Sequence, residues 1–535
     1  MRKIIISFLS ISALLVTSCT DLDEVLRSNI SSEAHYSTVE GFQDLTIAMY
    51  DPLYDYFGYE AGEILTIPGT DEFTYGQGRR SFWNDYTPAL NPSESDQRSM
   101  LGIWNEFYRG INLTNSVIGR INDIDGISEN QRTTWTAEAK FLRAYYYHIL
   151  IQHFGDVHLT LEETVGVETE ATRTPKEQIW DVVVEDFSYA INNLPEVQEQ
   201  YGRATANAAR HALAKVHLIL ENWDEAANLA KEVINSGYHS LLDNYADLWD
   251  PANLQHEEVI WALVRTSDPG PRRDVRTSRD FSPRVNGISG IIPKNEFGSP
   301  TFRYKATRFL IEDVFGNDPN NGGVNIFNDT RYYAGFKEVW HYNDPNNLPP
   351  GVALGDTAAY FPVAAHYQEL TDEEIAQKPY VFLRIKDWNE VYAAAPVLKF
   401  RNAGETMYWG RDVQIMRLAE TYLIAAEALM MAGNLAEAAE YFNVVRLRAQ
   451  TPGEQIPLIS PDELTIDEIL DERARELYGE SMRWKDLKRT GKLLERVRAY
   501  NKRAAPNIQE YHLLRPIPQS QIDRTTNDFP QNPGY

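Results

Sequence analysis

Apolar positions recur at helical spacing along much of the chain and predict four long helices ahead of Pro195. From His35 to Tyr56 they fall at Phe42, Leu45, Met49 and Leu53, interrupted by Pro52. Met100 to Ile121 repeats the pattern through Ile103, Trp104, Phe107, Ile111 and Val117. Thr134 to Phe154 places Ala137, Phe141, Ala144, Tyr145 and Ile149 on one inner face, with Gly155 as the stop. Ile179 to Leu194 starts after Thr174-Pro175 and ends at Pro195.

Two later stretches look alike. Ala209–Glu221 and Trp223–Ile234 form one helical hairpin turning at Asn222; Leu418–Met431 and Leu435–Ala449 form another turning at Gly433-Asn434. Small alanines (Ala212, Ala226, Ala227; Ala426, Ala428, Ala438, Ala439) alternate with larger apolar residues in both. That alternation lets two helices approach closely, as in tetratricopeptide repeats, and Ala438 to Phe442 matches the A-x3-F element of that pattern. An ordinary helix pair would read the same way, and either version builds a scaffold. Between the hairpins, Ser267 to Arg411 is rich in Gly, Pro, Asn and aromatics, and Thr307 to Phe315 is its main helical period. The runs 316–323 and 343–351 are turn-forming by composition. The expected fold is mainly α, a tetratricopeptide-like helical hairpin scaffold with a loop-rich inserted subdomain. Its divisions are a leader at 1–18, helical parts at 19–266 and 412–535, and the insertion at 267–411.

The start of the chain changes the picture of compartment. Arg2-Lys3 precedes an apolar run, Ile4 to Val16, and then Val16-Thr17-Ser18-Cys19. A run of about 13 residues is too short to span a hydrocarbon core of about 30 Å, and the layout is that of a secretory signal. Cys19 is the sole cysteine of 535 residues, so a mature chain acylated there has no disulfide and no thiolate metal site. No later segment reaches about 18 uninterrupted apolar residues. Basic residues number 51 and acidic ones 77, a formal net charge of −26, or −28 once Arg2 and Lys3 leave with the signal (−26 − 2). Such a balance argues against nucleic acid or anionic lipid as partner, and favours a neutral or cationic ligand or simply solubility. No cofactor is called for: Gly76-Gln-Gly78 is too short to cradle phosphate, and His256-Glu257 lacks a second zinc histidine. Asp318 to Asn321 lacks the spacing and closing glutamate of a calcium loop.

The C-terminal third carries the specific blocks. They are Arg417–Ala428, Val445–Ala449, Ile469–Arg473 with Glu476-Leu477, Arg483–Gly491, Leu513–Gln519 with Ile522-Asp523, and Gln531–Tyr535. With Ala137–Ala144 running to Phe154-Gly-Asp156, and with the cysteine of a bacterial lipobox, the set resembles the SusD/RagB family of outer-membrane nutrient-binding lipoproteins. Two departures are Arg515, inside a motif that usually reads Leu-Leu-Pro-Ile-Pro, and Tyr478-Gly-Glu-Ser, where Phe-Glu-Gly is commoner. Apart from the family, Arg473, Glu476, Arg483, Asp486 and Arg489 sit at spacings that allow ion pairs across helical turns, with Trp484 and Leu487 as the apolar face. The resemblance implies acylation of Cys19, and the acidic Thr20–Glu24 resembles the tag that sends such lipoproteins to the outer face of the outer membrane. It also implies an oligosaccharide ligand and a TonB-dependent outer-membrane transporter, of the SusC kind, as partner.

A loop at Asp71 to Pro92 is different in kind, with no helical period and a dense set of aromatics. Sugar rings offer flat C–H faces to aromatic rings and a hydroxyl rim to planar hydrogen-bonding groups. Tyr75, Phe82, Trp83 and Tyr86 could supply faces, and Arg79, Arg80, Asn84 and Asp85 the rim. Trp83 could equally plug the loop onto the core, and Trp104 and Tyr108 at i, i+4 read as core. The resemblance places ligand-stacking aromatics and an Arg/Asn pair in this region, joined by aromatics of the insertion. Phe297, Phe302, Tyr304, Trp340 and Tyr342 are candidates there, with Tyr408-Trp409 beyond them. The alternative function is a surface glycoside hydrolase, which would use paired carboxylates among Asp71, Glu72 and Asp85.

Overall fold

The computed structural model describes residues 35–535 apart from 77, 79, 94–98, 266–274, 295–301, 321, 390–392, 394–395 and 402–409. Cys19, Arg79, Phe297, Tyr408 and Trp409 lie outside the described residues.

The predicted helices are present. α1 (Val39–Ala48) starts on Thr38, whose Oγ1 accepts from the Gly41 amide, and Pro52 divides it from α2 (Leu53–Tyr56). After α3 (Glu60–Thr66) come β1 (Phe73–Tyr75) and α4 (Phe82–Asp85) in the aromatic loop. α5 (Met100–Arg120) follows its apolar period closely. α6 (Glu129–Phe154) begins five residues ahead of Thr134, because Ser128 and Gln131 close a reciprocal capping box that no apolar period marks. Gly155, at φ +74°, ends it. α7 (Lys176–Asn193) packs along α6, and α8 (Ala206–Ile219) turns into α9 (Trp223–Asn235).

β2 (Val259–Leu263) leads into the insertion. Here β3 (Tyr304–Ala306) pairs antiparallel with β1, Phe73 opposite Ala306 and Tyr75 opposite Tyr304. β4 (Val339–His341), β5 (Thr357–Tyr360) and β6 (Val381–Phe382) make a three-stranded sheet, antiparallel then parallel. They cover a small cluster of their own with Val285, Ile291, Trp340, Tyr342 and Phe361. The helix expected at Thr307 to Phe315 is wound as a π-helical turn, Phe309–Val314. Phe315 packs with Tyr332, Phe336 and Tyr478 in the main core, so the insertion is threaded into the scaffold.

β7 (Val413–Arg417) closes the excursion by pairing with β2. It runs into α10 (Leu418–Met431), followed by α11 (Leu435–Arg448), α12 (Ile466–Leu477), α13 (Arg483–Arg489) and α14 (Leu493–Tyr500). The two look-alike hairpins stack on each other: α9 lies on α10, and Ala226, Ala227, Ala230, Ala425, Ala426 and Ala438 share one buried cluster. Small side chains at these positions allow the close approach that the pattern predicted. No described helix is long and apolar enough to cross a membrane.

Candidate functional site

The aromatic loop is pinned down rather than presented. Asn84 is buried on α4, and its Oδ1 accepts from the Gly69 amide (2.9 Å), the Tyr75 amide (3.0 Å) and Asn501 Nδ2 (3.1 Å). Its Nδ2 donates to Asp85 (2.8 Å), so both polar atoms of the fully buried Asn84 are engaged within the fold. Tyr86, with a left-handed backbone at φ +51°, is buried and donates its hydroxyl to the Gly69 carbonyl at 2.8 Å. A Cβ on Gly69 would lie 3.0 Å from that hydroxyl and from the Trp83 carbonyl, so this turn requires glycine. Trp83 is 0% exposed. The Arg515 guanidinium stands 5.3 Å from its ring, 5.8 Å from Tyr86 and 4.3 Å from Trp484. The arginine that interrupts the closing motif is thus the one that clamps the loop aromatics.

Several of the expected ligand contacts are buried. Tyr75, Trp83, Asn84 and Tyr86 are inside, and so are Phe302 and Tyr304. Trp340 and Tyr342 form the insertion's own cluster. A ring with its faces against protein cannot stack on sugar. Phe82 is half-buried, tilted on Trp83 at 5.7 Å, and Arg80 is drawn to Glu60 at 3.0 Å. Trp104 and Tyr108 lie on α5, Trp104 in the core and Tyr108 half-buried with its hydroxyl on the His158 carbonyl.

The charged blocks of the C-terminal third form a buried network. Glu476 accepts from Arg417 (2.5 Å), Arg331 (3.0 Å) and Arg448. Burial favours its neutral form, but Arg448, Arg417 and Arg331 outweigh that and hold the carboxyl well below the usual range. Glu472 is likewise buried, and Arg331, Arg446 and Arg475 bring it to about 2. Asp71 is gripped by Arg483 (two contacts of 2.7 Å) and Arg496 (2.7 Å). Glu72 beside it is raised to about 8, by burial first. Asp71 thereby holds α13 and α14 to the loop, while Glu472 and Glu476 tie α12 to β7 and α11.

What the loop does bring to the surface is a cleft on the outer side of the β1–β3 pair. It measures about 240 Å³ and is lined by Thr74, Lys305, Thr307, Ile385, Trp388 and Tyr500, with Arg308, Lys386, Lys502 and Arg503 among the rest. Trp388 is half-buried, its body packed against Phe302 and Val397. Tyr500 is 38% exposed and stacks on Phe309 with ring centroids 4.0 Å apart. Arg503 ties the cleft to the aromatic loop: Nε and Nη2 hold Asp85 at 3.0 and 2.8 Å, and Nη1 donates to the Tyr75 carbonyl at 2.7 Å. A larger depression of about 460 Å³ lies between α6 and the segment after α7. There Gln131 is engaged in the capping box, Gln198 and Arg203 on Glu138, and Trp135 is buried. The β1–β3 cleft therefore pairs half-exposed aromatics with polar groups in the way a sugar site requires. Its residues come from four separate segments, and none of Lys305, Trp388, Tyr500 or Arg503 was signalled by the sequence. The one available sign was the basic, aromatic run Tyr500-Asn-Lys-Arg503 directly behind a helix.

Two family models match the chain, one described as SusD family over residues 324–535, the other as starch-binding associating with outer membrane over 34–218. SusD-like protein P25 of Formosa agariphila is 28% identical over 533 residues, covering 95% of both chains. A crystal structure of a SusD homolog from Bacteroides thetaiotaomicron superposes with a TM-score of 0.73 at 21% identity, covering 95% of this chain and 99% of that one. Surface glycan-binding protein A from Bacteroides thetaiotaomicron, solved in complex with laminarihexaose, superposes with a TM-score of 0.67 at 21% identity over 92% of this chain and 99% of its own. With the helical scaffold, the buried C-terminal blocks and both family models in one chain, the protein belongs to the SusD family.

Proposed function

We propose that this protein is a non-catalytic glycan-binding lipoprotein of the outer membrane. It captures oligosaccharide in the β1–β3 cleft and passes it to a TonB-dependent transporter. The observation that carries the reading is the cleft itself, where Trp388 and Tyr500 offer ring surface and Thr74 and Lys305 offer hydrogen-bonding groups. The kind of ligand is supported by relatives: one family model is described as starch-binding, and one structural neighbour holds laminarihexaose. Acylation at Cys19 would tether the domain to the outer leaflet, and the transporter would receive what the cleft releases.

A hydrolase needs two carboxyl groups flanking the scissile bond. Among the described residues the cleft lining contains none, Asp71 and Glu72 are inside, and Asp85 is held by Arg503. Depletion of a glycan panel, with analysis of products, tests the reading. Retention without new reducing ends is expected for at least one glycan, weakened about tenfold or more in Trp388→Ala, on the scale of a lost aromatic–sugar contact. New reducing ends, or retention untouched by that substitution, would defeat it. A Cys19→Ala variant that still partitions with membranes would remove the lipid anchor from the account.

A further inference from the structure

We propose that a single halide-sized anion binds inside the scaffold, in the small cavity where α6, α8, α10, α12 and α13 meet. The cavity measures about 20 Å³, room for one water-sized or monatomic occupant. It is separate from the β1–β3 cleft, and the inference stands apart from the glycan reading. Among the described residues, three nitrogen donors of its lining have no hydrogen-bond partner. His148 is buried on α6; its Nε2 accepts from Gln152 Nε2 at 2.8 Å, and the same amide nitrogen donates to the His148 carbonyl at 3.1 Å. The ring proton therefore sits on Nδ1, which is unpaired. Arg473 on α12 is 2% exposed and gives Nε and Nη2 to Asp486 and Glu420, while its Nη1 has no acceptor. Lys485 on α13 has no carboxylate in contact, and its ammonium stands 5.5 Å from the Tyr56 ring. Unmet buried donors are costly, and in folded proteins they meet water or an ion.

The charges favour an anion over water. Lys215, Arg473, Lys485 and Arg489 line the cavity with Glu420 and Asp486, and Glu427 pairs with Arg489 from outside the lining. Glu420 accepts from Lys215 at 2.6 Å, His211 at 3.0 Å and Arg473 at 3.1 Å; Asp486 accepts from Arg473 at 2.7 Å and Arg489 at 3.0 Å. Both carboxylates are thus engaged, and four cations against three carboxylates leave the charge of Lys485 over. Burial keeps His148 and His211 neutral. Burial, and then Lys215, press Lys485 down to about 7, so an anion beside it is bound together with a proton above that pH. Water has two lone pairs for three donors, whereas a halide accepts from all three. An oxyanion exceeds the space. The ion pins both alanine-rich hairpins, through α8 and α10, to α6 and the C-terminal helices.

Melting of the full chain in sodium gluconate, an anion too large to enter, replaced stepwise by sodium bromide at a constant ionic strength of about 0.15 M, tests this. At pH 6 the midpoint should rise by about 1 °C for each tenfold excess of bromide over its dissociation constant, as ligand linkage gives for a chain of this length. The rise should shrink at pH 9, where Lys485 is neutral. Lys485→Met, at a half-buried position, should abolish the bromide response, and Lys176→Ala on α7, outside the cavity, should keep it. Crystals soaked in bromide should show an anomalous peak within the cavity. A bromide response of equal size in Lys485→Met, or a soaked crystal whose cavity holds only water, overturns the proposal. Should Lys485→Met fail to fold, the anomalous peak alone decides. Neither result bears on glycan retention, so the two readings fail separately.

Discussion

Glu476 is the acceptor at the centre of the buried network, and Glu476→Gln removes its charge with almost no change of shape. Arg417, Arg331 and Arg448 all point hydrogen-bond donors at its carboxylate; the first two are buried and the Arg448 side chain is 4% exposed. Removing one partner of a buried ion pair leaves an uncompensated charge, at about 3–5 kcal/mol. Here Glu258, Glu472 and Glu480 still serve the same arginines, which places the expected loss at the lower end, about 3 kcal/mol. The unfolding entropy of a chain this long makes 1 kcal/mol worth about 1 °C, so the midpoint should fall by about 3 °C. Glu495→Gln is the comparison, since Glu495 is largely exposed and pairs only with Lys492, at 3.2 Å, in the way that is worth below about 0.5 kcal/mol. Differential scanning calorimetry on both variants decides the matter. If Glu476→Gln melts within experimental error of Glu495→Gln, the network is not what holds α12 to β7.

Acid should unfold the protein through the same network. Glu472 is held at about 2 against an ordinary 4.5, so its contribution is complete above 4.5 and is lost as pH falls toward 2; urea midpoints measured from pH 5 to pH 2 should decline steeply. Glu63 and Glu72 have the opposite sign, since burial raises both to about 8, and their stability is present below 4.5 and lost between there and 8. Glu63→Gln should accordingly flatten the pH dependence of the urea midpoint on that side, and an unchanged slope would contradict the assignment. Trp83→Ala should cost about 3–5 kcal/mol in unfolding free energy, as a fully buried indole does, while glycan retention per folded molecule stays at the parent level.

How much of this was legible in the chain depends on whether the signal is local. The bounds of α5, α10 and α11 follow from apolar period alone, and the stacked hairpins follow from their alanines. The start of α6 escaped notice because a capping box is polar. The aromatic loop stands out in the sequence, but that its rings Tyr75, Trp83 and Tyr86 are buried does not, since an aromatic side chain satisfies a core as readily as a sugar. What decides between the two is tertiary: Asn501 reaching Asn84, Arg515 reaching Trp83, Gly69 making room for Tyr86. Lys305, Trp388 and Tyr500 are distant in sequence and meet only because β3 pairs with β1 while α14 ends beside them.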